Sequence, residues 1–448
     1  MNFTEFKEAV IAAALEMGVA DYELYYQTAE STAVRAFLHE LNEFTSSVEG
    51  GVCLRCIVNG KMGYASTQDL NPKGARDLLL RAMDNAAAIE NDDTVFLGEG
   101  GQTYEPLNVQ TYELPATDAL IDAVLDTQEK LYAADPAIID GSSTRGFAER
   151  SEFAIFNSHG LDLRYANNVC GLMVEATVEA EGEKSNDFQI KLGQLDKIDT
   201  AALTAKAAKN ALAQLGGEVP STGSVPVVFD PDAMYAMLSC FAPAFSSEAA
   251  QKGLSKLAGK EGEVIAAPCV TLIDDPFHKD NPEPMNFDAE GSPTHKKAVI
   301  ENGVLNTLLY NLKTAAVAGK KTTGNASKGG YDSPVGIRPF TFYLEGGELS
   351  EEELLQKAGN GVYITDLSGL HAGADAISGD FSLQSAGFML RDGKKAEYVK
   401  SFTVAGNFYE MLKNIVALAN NSHLPRPMGS TALGAPTVLV DGLSVAGK

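Results

Sequence analysis

Apolar residues at Phe3, Phe6, Ala9, Val10 and Ala13 recur at helical spacing and stop at Gly18, which predicts a first amphipathic helix ending near Met17. The next segment, ELYYQTAESTAVRAFLHELNEFTSSVEGGVCLRCIVNGKMGYAST, changes period. It is rich in β-formers, alternates in places and carries Asn59-Gly60, a strong hairpin pair, so it reads as a small antiparallel sheet. Helical periodicity returns over residues 75–91 and again over 116–134. Alternation around FAERSEFAIFNSHGLDLRYANNVCGLMVEATVEAEGEKSNDFQIKLG, with a turn at Asn157-Ser158-His159-Gly160, predicts a further hairpin or meander. A helix over about 200–215 follows.

GGEVPSTGS, residues 216–224, is the strongest break in the pattern and divides the chain into domains 1–215 and 225–448. Beyond it VPVVFD reads as a buried strand. PDAMYAMLSCFAPAFSSEAAQKG reads as a helix opened by Asp230-Pro231 and kinked or ended by Pro243. From Cys269 onward strands predominate: CVTLIDD, KKAVIENGVLNTLLYN with its Asn302-Gly303 turn, RPFTFYLEGG, and FSLQSAGFMLRDGKKAEYVKSFTVAG with its Asp392-Gly393 turn. Helices are expected near Ser350–Ala358 and Phe408–Ala419, and TVLVDGLSVAG closes the sheet. The fold class is therefore α+β, with an N-terminal α/β domain and a C-terminal domain built on a large, mostly antiparallel sheet.

Bulk properties narrow the function. A chain of 448 residues exceeds one ordinary core. A formal charge of −25 repels phosphate backbones, so direct nucleic-acid binding is not expected. No run of about 18 apolar residues occurs, so no membrane span is expected. The start MNFTEFKEAVIAAALEMGVADYELYY lacks a basic segment followed by a long apolar one, and the five cysteines are scattered and odd in number; a cytoplasmic location is the expectation.

Several segments invite a chemical reading. FLHELNEF, residues 37–44, resembles a zinc-protease signature with its second histidine replaced. It lies between β-forming runs, where residues four apart lie about 13 Å apart, so it reads as a strand end and turn. Cys53 and Cys56 spell CxxC, but three residues along a strand point to opposite faces. DDPFHKDNPEPMNFDAEGSPTHKK offers Asp274, Asp275, His278, Asp280, Asp288, Glu290 and His295 as ligand types, in a spacing that equally describes a long connecting loop. AGKKTTGNASKGG lacks the phosphate-loop order and reads as a mobile loop, and no G-x-S-x-G elbow occurs.

FDAEGSPT at 287–294, IENGVLNTLLYNLKTAAVAG at 300–319, TTGNAS at 322–327, SGDFSLQSAGFMLRDG at 378–393 and GAPTVLVDGLSVAG at 434–447 together resemble the TldD/PmbA family, and specifically its PmbA, or TldE, branch. SSVEGGVCLRCIVNGKMGYAST and FNSHGLDLRY extend the likeness through the N-terminal half. The resemblance implies a dimer and a peptidase system. Its TldD-type subunits are metalloproteases in which an HExxxH helix after the first C-terminal strand, plus a cysteine near the C-terminus, binds the metal.

Here that helix corresponds to PDAMYAMLSCFAPAFSSEA, with Ser239-Cys240-Phe241-Ala242-Pro243-Ala244 where HExxxH would stand, and Asn421-Ser422-His423 near the cysteine position. No histidine occurs on that helix, so the resemblance implies a subunit without cofactor that forms a heterodimer with a zinc-bearing TldD-type subunit, or self-pairs when isolated. The complex would act on extended or unfolded peptides. Gly379, Asp380, Phe381 and Ser382, at the start of GDFSLQSAG, are the expected peptide-contacting edge, because strand addition needs main chain and an open edge. Two other expectations are an independent metal-dependent hydrolase using His278, Asp288, Glu290 or His295, and a regulatory binding protein linked to gyrase-directed toxins, after the family's older name, modulator of DNA gyrase.

Overall fold

The structure is a computed structural model and describes residues 1–91, 93–107, 112–425 and 431–448. Helix α1 (Phe3–Met17) opens with a capping box between Asn2 and Glu5 and ends at Gly18, whose φ of 70° suits a residue without Cβ. The two β segments of the N-terminal half merge. Strands β1 (Asp21–Phe37), β2 (Glu40–Val58), β3 (Lys61–Thr67), β4 (Ser143–Asn157), β5 (Asp162–Ala180) and β6 (Glu183–Leu192) form one six-stranded sheet in the order β3-β2-β1-β4-β5-β6. It is not small, and every neighbouring pair is antiparallel.

The period of two along β1 divides its environment. Tyr22, Leu24, Val34 and Ala36 lie in cores formed with helices, whereas Tyr25 packs toward the C-terminal half. Helices α1 and α2 (Pro72–Ala87) cover one end of the helix side; α3 (Thr117–Ala134) and α4 (Thr200–Leu212) cover the other. On the opposite face Tyr25, Phe153 and Tyr165 meet Phe287, Ala289 and Ala326, so an apolar seam joins the halves.

The C-terminal half contains an eight-stranded sheet, whose central strands are Val227–Phe229, Gly361–Ser368, Asp380–Arg391 and Lys394–Asn407, and a five-stranded sheet around Leu272–Asp274 and Thr341–Leu344. Each is antiparallel apart from one parallel pair. This is the α+β architecture expected. Helix α5 (Pro231–Phe241) lies between them, packing on Gly361–Ser368 from one sheet and Ala432–Gly434 from the other. Among the described residues no helix is long and apolar enough to cross a membrane.

Three local expectations are corrected. The helix predicted over Phe408–Ala419 ends at Lys413, and Ile415–Leu418 is a strand pairing with Val438–Val440, because an available sheet neighbour overrides helical spacing. The segment read as a mobile loop is anchored: Thr323 and Asn325 are buried, and Asn325 donates to the Asp274 carboxylate at 2.7 Å and to the Arg338 carbonyl at 3.0 Å. The third concerns the expected peptide edge. Asp380–Arg391 is an interior strand; Phe381 is bridged by Ala374 on one side and pairs with Gly406 on the other, and Asp375 N–H donates to the Asp380 carbonyl. The 370–375 turn covers the place where the neighbouring strand stops, so Gly379–Ser382 present no open edge.

Candidate site on helix α5

Asp230 begins α5 by accepting from the Ala233 N–H at 2.8 Å, and its own N–H donates to the Ile364 carbonyl, locking the helix start to the sheet. Pro231 occupies the first turn, where its missing N–H costs nothing. The far end is fixed by stacking: the Phe241 and Phe408 rings are 4.3 Å apart at 9°. Pro243 then tightens the chain into a short 3₁₀ turn, Ala242–Phe245, which agrees with the stop expected there.

Ser239, Ala242, Pro243 and Ser246 form one wall of a cavity of about 400 Å³, whose other walls include Arg338, Thr431 and Leu433. The Ser239 hydroxyl donates to the Ala236 carbonyl at 2.7 Å, and the Thr431 hydroxyl donates to the Pro339 carbonyl at 2.9 Å. Cys240 is half-buried, and burial pushes its thiol up. Glu248, the carboxylate on this wall, is paired with Lys252. Zinc needs three or four imidazole, thiolate or carboxylate donors converging at about 2.0–2.3 Å. Hydroxyls, a proline and one salt-bridged carboxylate do not supply them, so these residues do not fit the metal.

The second ligand-rich segment is equally committed. Asp274 is buried and paired with Lys297 at 3.0 Å. Asp288 accepts from the N–H groups of Glu290, Ser292 and Ala326, shaping the 288–292 turn, although burial and neighbouring Glu290 push its carboxyl up to about 7. Glu290 accepts from the Leu312 N–H at 2.8 Å and faces Arg55. His278 stacks edge-on to Tyr343 and its Nδ1 accepts from the Asp280 N–H; His295 is exposed. Asp275 accepts from the Phe277 N–H and pairs with Lys296. Among the described residues no group of three or more His, Cys, Asp or Glu is placed to hold a metal ion.

The remaining sequence candidates sit apart. Leu38 and His39 form the β1–β2 turn at φ 53° and 64°, and His39 binds Glu129 and stacks on Tyr132. Cys53 and Cys56 are both buried and free in β2. Asn421 is tied to Thr437 and Ser422 to the Leu344 carbonyl, while His423 opens onto a second, larger cleft of about 660 Å³ between β6, α4 and residues 277–284. Arg338, Thr431 and Leu433 escaped the sequence reading because they come to α5 only through sheet pairing, with no local motif of their own.

The fold is thus an antiparallel N-terminal sheet joined to a C-terminal α+β half in which a helix follows the first strand and lies between two sheets. Family models describe residues 22–86 as PmbA/TldA metallopeptidase domain 1, 112–215 as its central domain and 222–447 as its C-terminal domain. The chain belongs to this PmbA/TldD family. It is 29% identical to a metalloprotease of Methanothermobacter thermautotrophicus over 86% of this chain and 85% of that one. It is 25% identical to the metalloprotease PmbA homolog of Haemophilus influenzae over 93% and 92%. A solved structure from Thermotoga maritima, described as a candidate modulator of a DNA gyrase, superposes with a TM-score of 0.89 at 31% identity, covering 99% of this chain and 100% of that one. TldE from Thermococcus kodakarensis shares the fold with a TM-score of 0.87 at 23% identity, over 98% and 99%.

Proposed function

We propose that this chain is a non-catalytic PmbA/TldE-like subunit that pairs with a TldD-type zinc metalloprotease and helps to present small or unfolded peptides to it. The observation that carries this reading is α5. The resemblance aligns it with the family's metal helix, yet it carries no histidine, and the cavity at its C-terminal end is lined by Ser239, Ala242, Pro243 and one carboxylate, Glu248, that is held by Lys252. The chain's contribution is then shape. The 660 Å³ cleft, lined by Phe188–Leu192 of β6 and by residues 277–284, is large enough for several residues of an extended peptide and would form one wall of a shared chamber. Gly379–Ser382 can meet a peptide only through exposed side chains such as Asp380 and Ser382, since their main chain is enclosed.

The test is to purify this chain alone, a TldD-type subunit from the same genome alone, and the mixture. Zinc content and cleavage of an unfolded peptide are then measured for each. The expected result is zinc and chelator-sensitive cleavage only where the TldD-type subunit is present, with this chain co-purifying. One tightly bound zinc per chain in this protein, or chelator-sensitive cleavage by it alone, would overturn the reading.

A further inference from the structure

Between Glu40 and Gly50, β2 has a strand neighbour on one side only among the described residues. Its inner edge pairs with β1 from Phe37↔Glu40 to Thr28↔Gly50, whereas β3 joins the outer edge only from Val52↔Thr67 onward. Among the described residues no other backbone pairs with this stretch, which leaves about 30 Å of free main-chain donors and acceptors.

Register shows which way its side chains face. Phe44 lies opposite Val34, Val48 opposite Glu30 and, past the irregularity at Arg35/Ala36, Leu41 opposite Ala36. Val34 and Ala36 are buried beneath α3. Leu41, Phe44 and Val48 therefore continue that apolar layer outward beyond the helix, and they remain 45%, 47% and 75% exposed. Thr45, Ser47 and Glu49 take the other face. A long free edge with one apolar face is a template for a further strand, and monomers usually guard such an edge with charge, lysine above all, or with proline. Residues 40–50 contain no lysine or proline, and their charges are Glu40, Glu43 and Glu49.

Charge argues against a second copy in the register that pairs Phe44 with Val48. A two-fold antiparallel pair of identical strands that matches Phe44 with Val48 of the other copy also sets Glu43 against Glu49, twice, and directly opposed like charges destabilise a ladder. Glu43 is already matched by Arg35 at 3.0 Å, while among the described residues no cation pairs with Glu40 or Glu49. The complementary strand is apolar at alternate positions and carries lysine or arginine between them, which this acidic edge does not offer to itself.

We propose that Glu40–Gly50 is the place where such a strand, from a different subunit, adds to the six-stranded sheet and covers Leu41, Phe44 and Val48. This rests on the reading of the chain as one subunit of a heteromeric peptidase. The experiment follows amide hydrogen exchange by mass spectrometry in the full-length chain, alone and mixed with the TldD-type subunit of the same genome. It also measures binding of that subunit by the double variant Phe44→Lys/Val48→Lys, with circular dichroism and melting as fold controls.

In the complex, exchange across 40–50 is expected to slow at least tenfold, and the double variant is expected to bind at least tenfold more weakly while melting like the parent. A complex that forms without slowing at 40–50, or that the variant joins as tightly, overturns this proposal and leaves the subunit reading standing. Failure of the two chains to associate overturns both. Slowing at 40–50 that grows with concentration in the isolated chain shows the occupant to be a second copy and overturns the choice of a different one.

Discussion

Arg55→Met should destabilise the join between the two halves of the molecule. Arg55 on β2 donates from Nε to Glu23 Oε1 on β1 at 2.7 Å, and its Nη1 lies 3.6 Å from Glu290 Oε1 in the C-terminal half. The side chains of all three are at most 6% exposed. Without the guanidinium, Glu23 keeps a bond from Asn157 Nδ2 at 3.2 Å and Glu290 keeps the Leu312 N–H, but two buried carboxylates then face each other with Lys328 as the remaining cation acting on Glu23. Removing one partner of a buried charge group costs about 3–5 kcal/mol. With an unfolding entropy of about 2.1 cal/mol/K per residue, a chain of this length melting as one unit would lose roughly 3–5 °C.

The loss should also depend on pH. Burial already raises the Glu290 carboxyl, with Arg55 opposing that rise, so deleting Arg55 raises it further. A carboxyl raised in the folded state binds more protons there than in the unfolded chain, so stability falls as pH rises through that range. Scanning calorimetry at pH 5 and pH 8 should show the larger loss at pH 8, and adding Glu23→Gln and Glu290→Gln should restore most of it. A drop of under about 1 °C at pH 8, or equal losses at both values, would refute the argument.

Three further outcomes follow. Phe408→Ala removes the ring stacked on Phe241 and should cost about 3–5 kcal/mol, read as a lowered denaturation midpoint. His278 has its protonation depressed by burial, and its Nδ1 already accepts from Asp280, so the unfolded chain takes up the proton first. Stability should therefore be lost as pH falls below the usual histidine value, and His278→Gln should flatten that slope in melting curves between pH 7.5 and 5. Ser239→Ala should change peptide cleavage by the mixed subunits less than about twofold, since the Ser239 hydroxyl is spent on the Ala236 carbonyl of its own helix; a tenfold loss would make it a participant.

The hairpins at Asn59-Gly60, Asn302-Gly303 and Asp392-Gly393 were legible because each pair must adopt positive φ, and all of them do. Helix α5 was legible from Asp230-Pro231 at its start and Pro243 past its end, both local backbone effects. The 408–419 segment was misread because helical spacing and a short buried strand are hard to separate without knowing what lies alongside. Whether 379–382 is an open edge or a core strand was not legible for a related reason: openness depends on neighbours in space, and here the 370–375 turn supplies one.

The absence of histidine on α5 needs no structure to be seen, because ligand chemistry is a property of residue type. The same holds for the acidity that disfavours nucleic acid and for the α+β alternation of periods. Tertiary structure alone decided that the two N-terminal β segments form one sheet, that Arg338, Thr431 and Leu433 face α5, and that the 288–295 carboxylates are spent on backbone and Arg55. It also decided that FLHELNEF turns the chain into a strand whose outer edge has no strand partner among the described residues. These depend on which distant segments meet, and local residue patterns specify periods and turns without specifying partners.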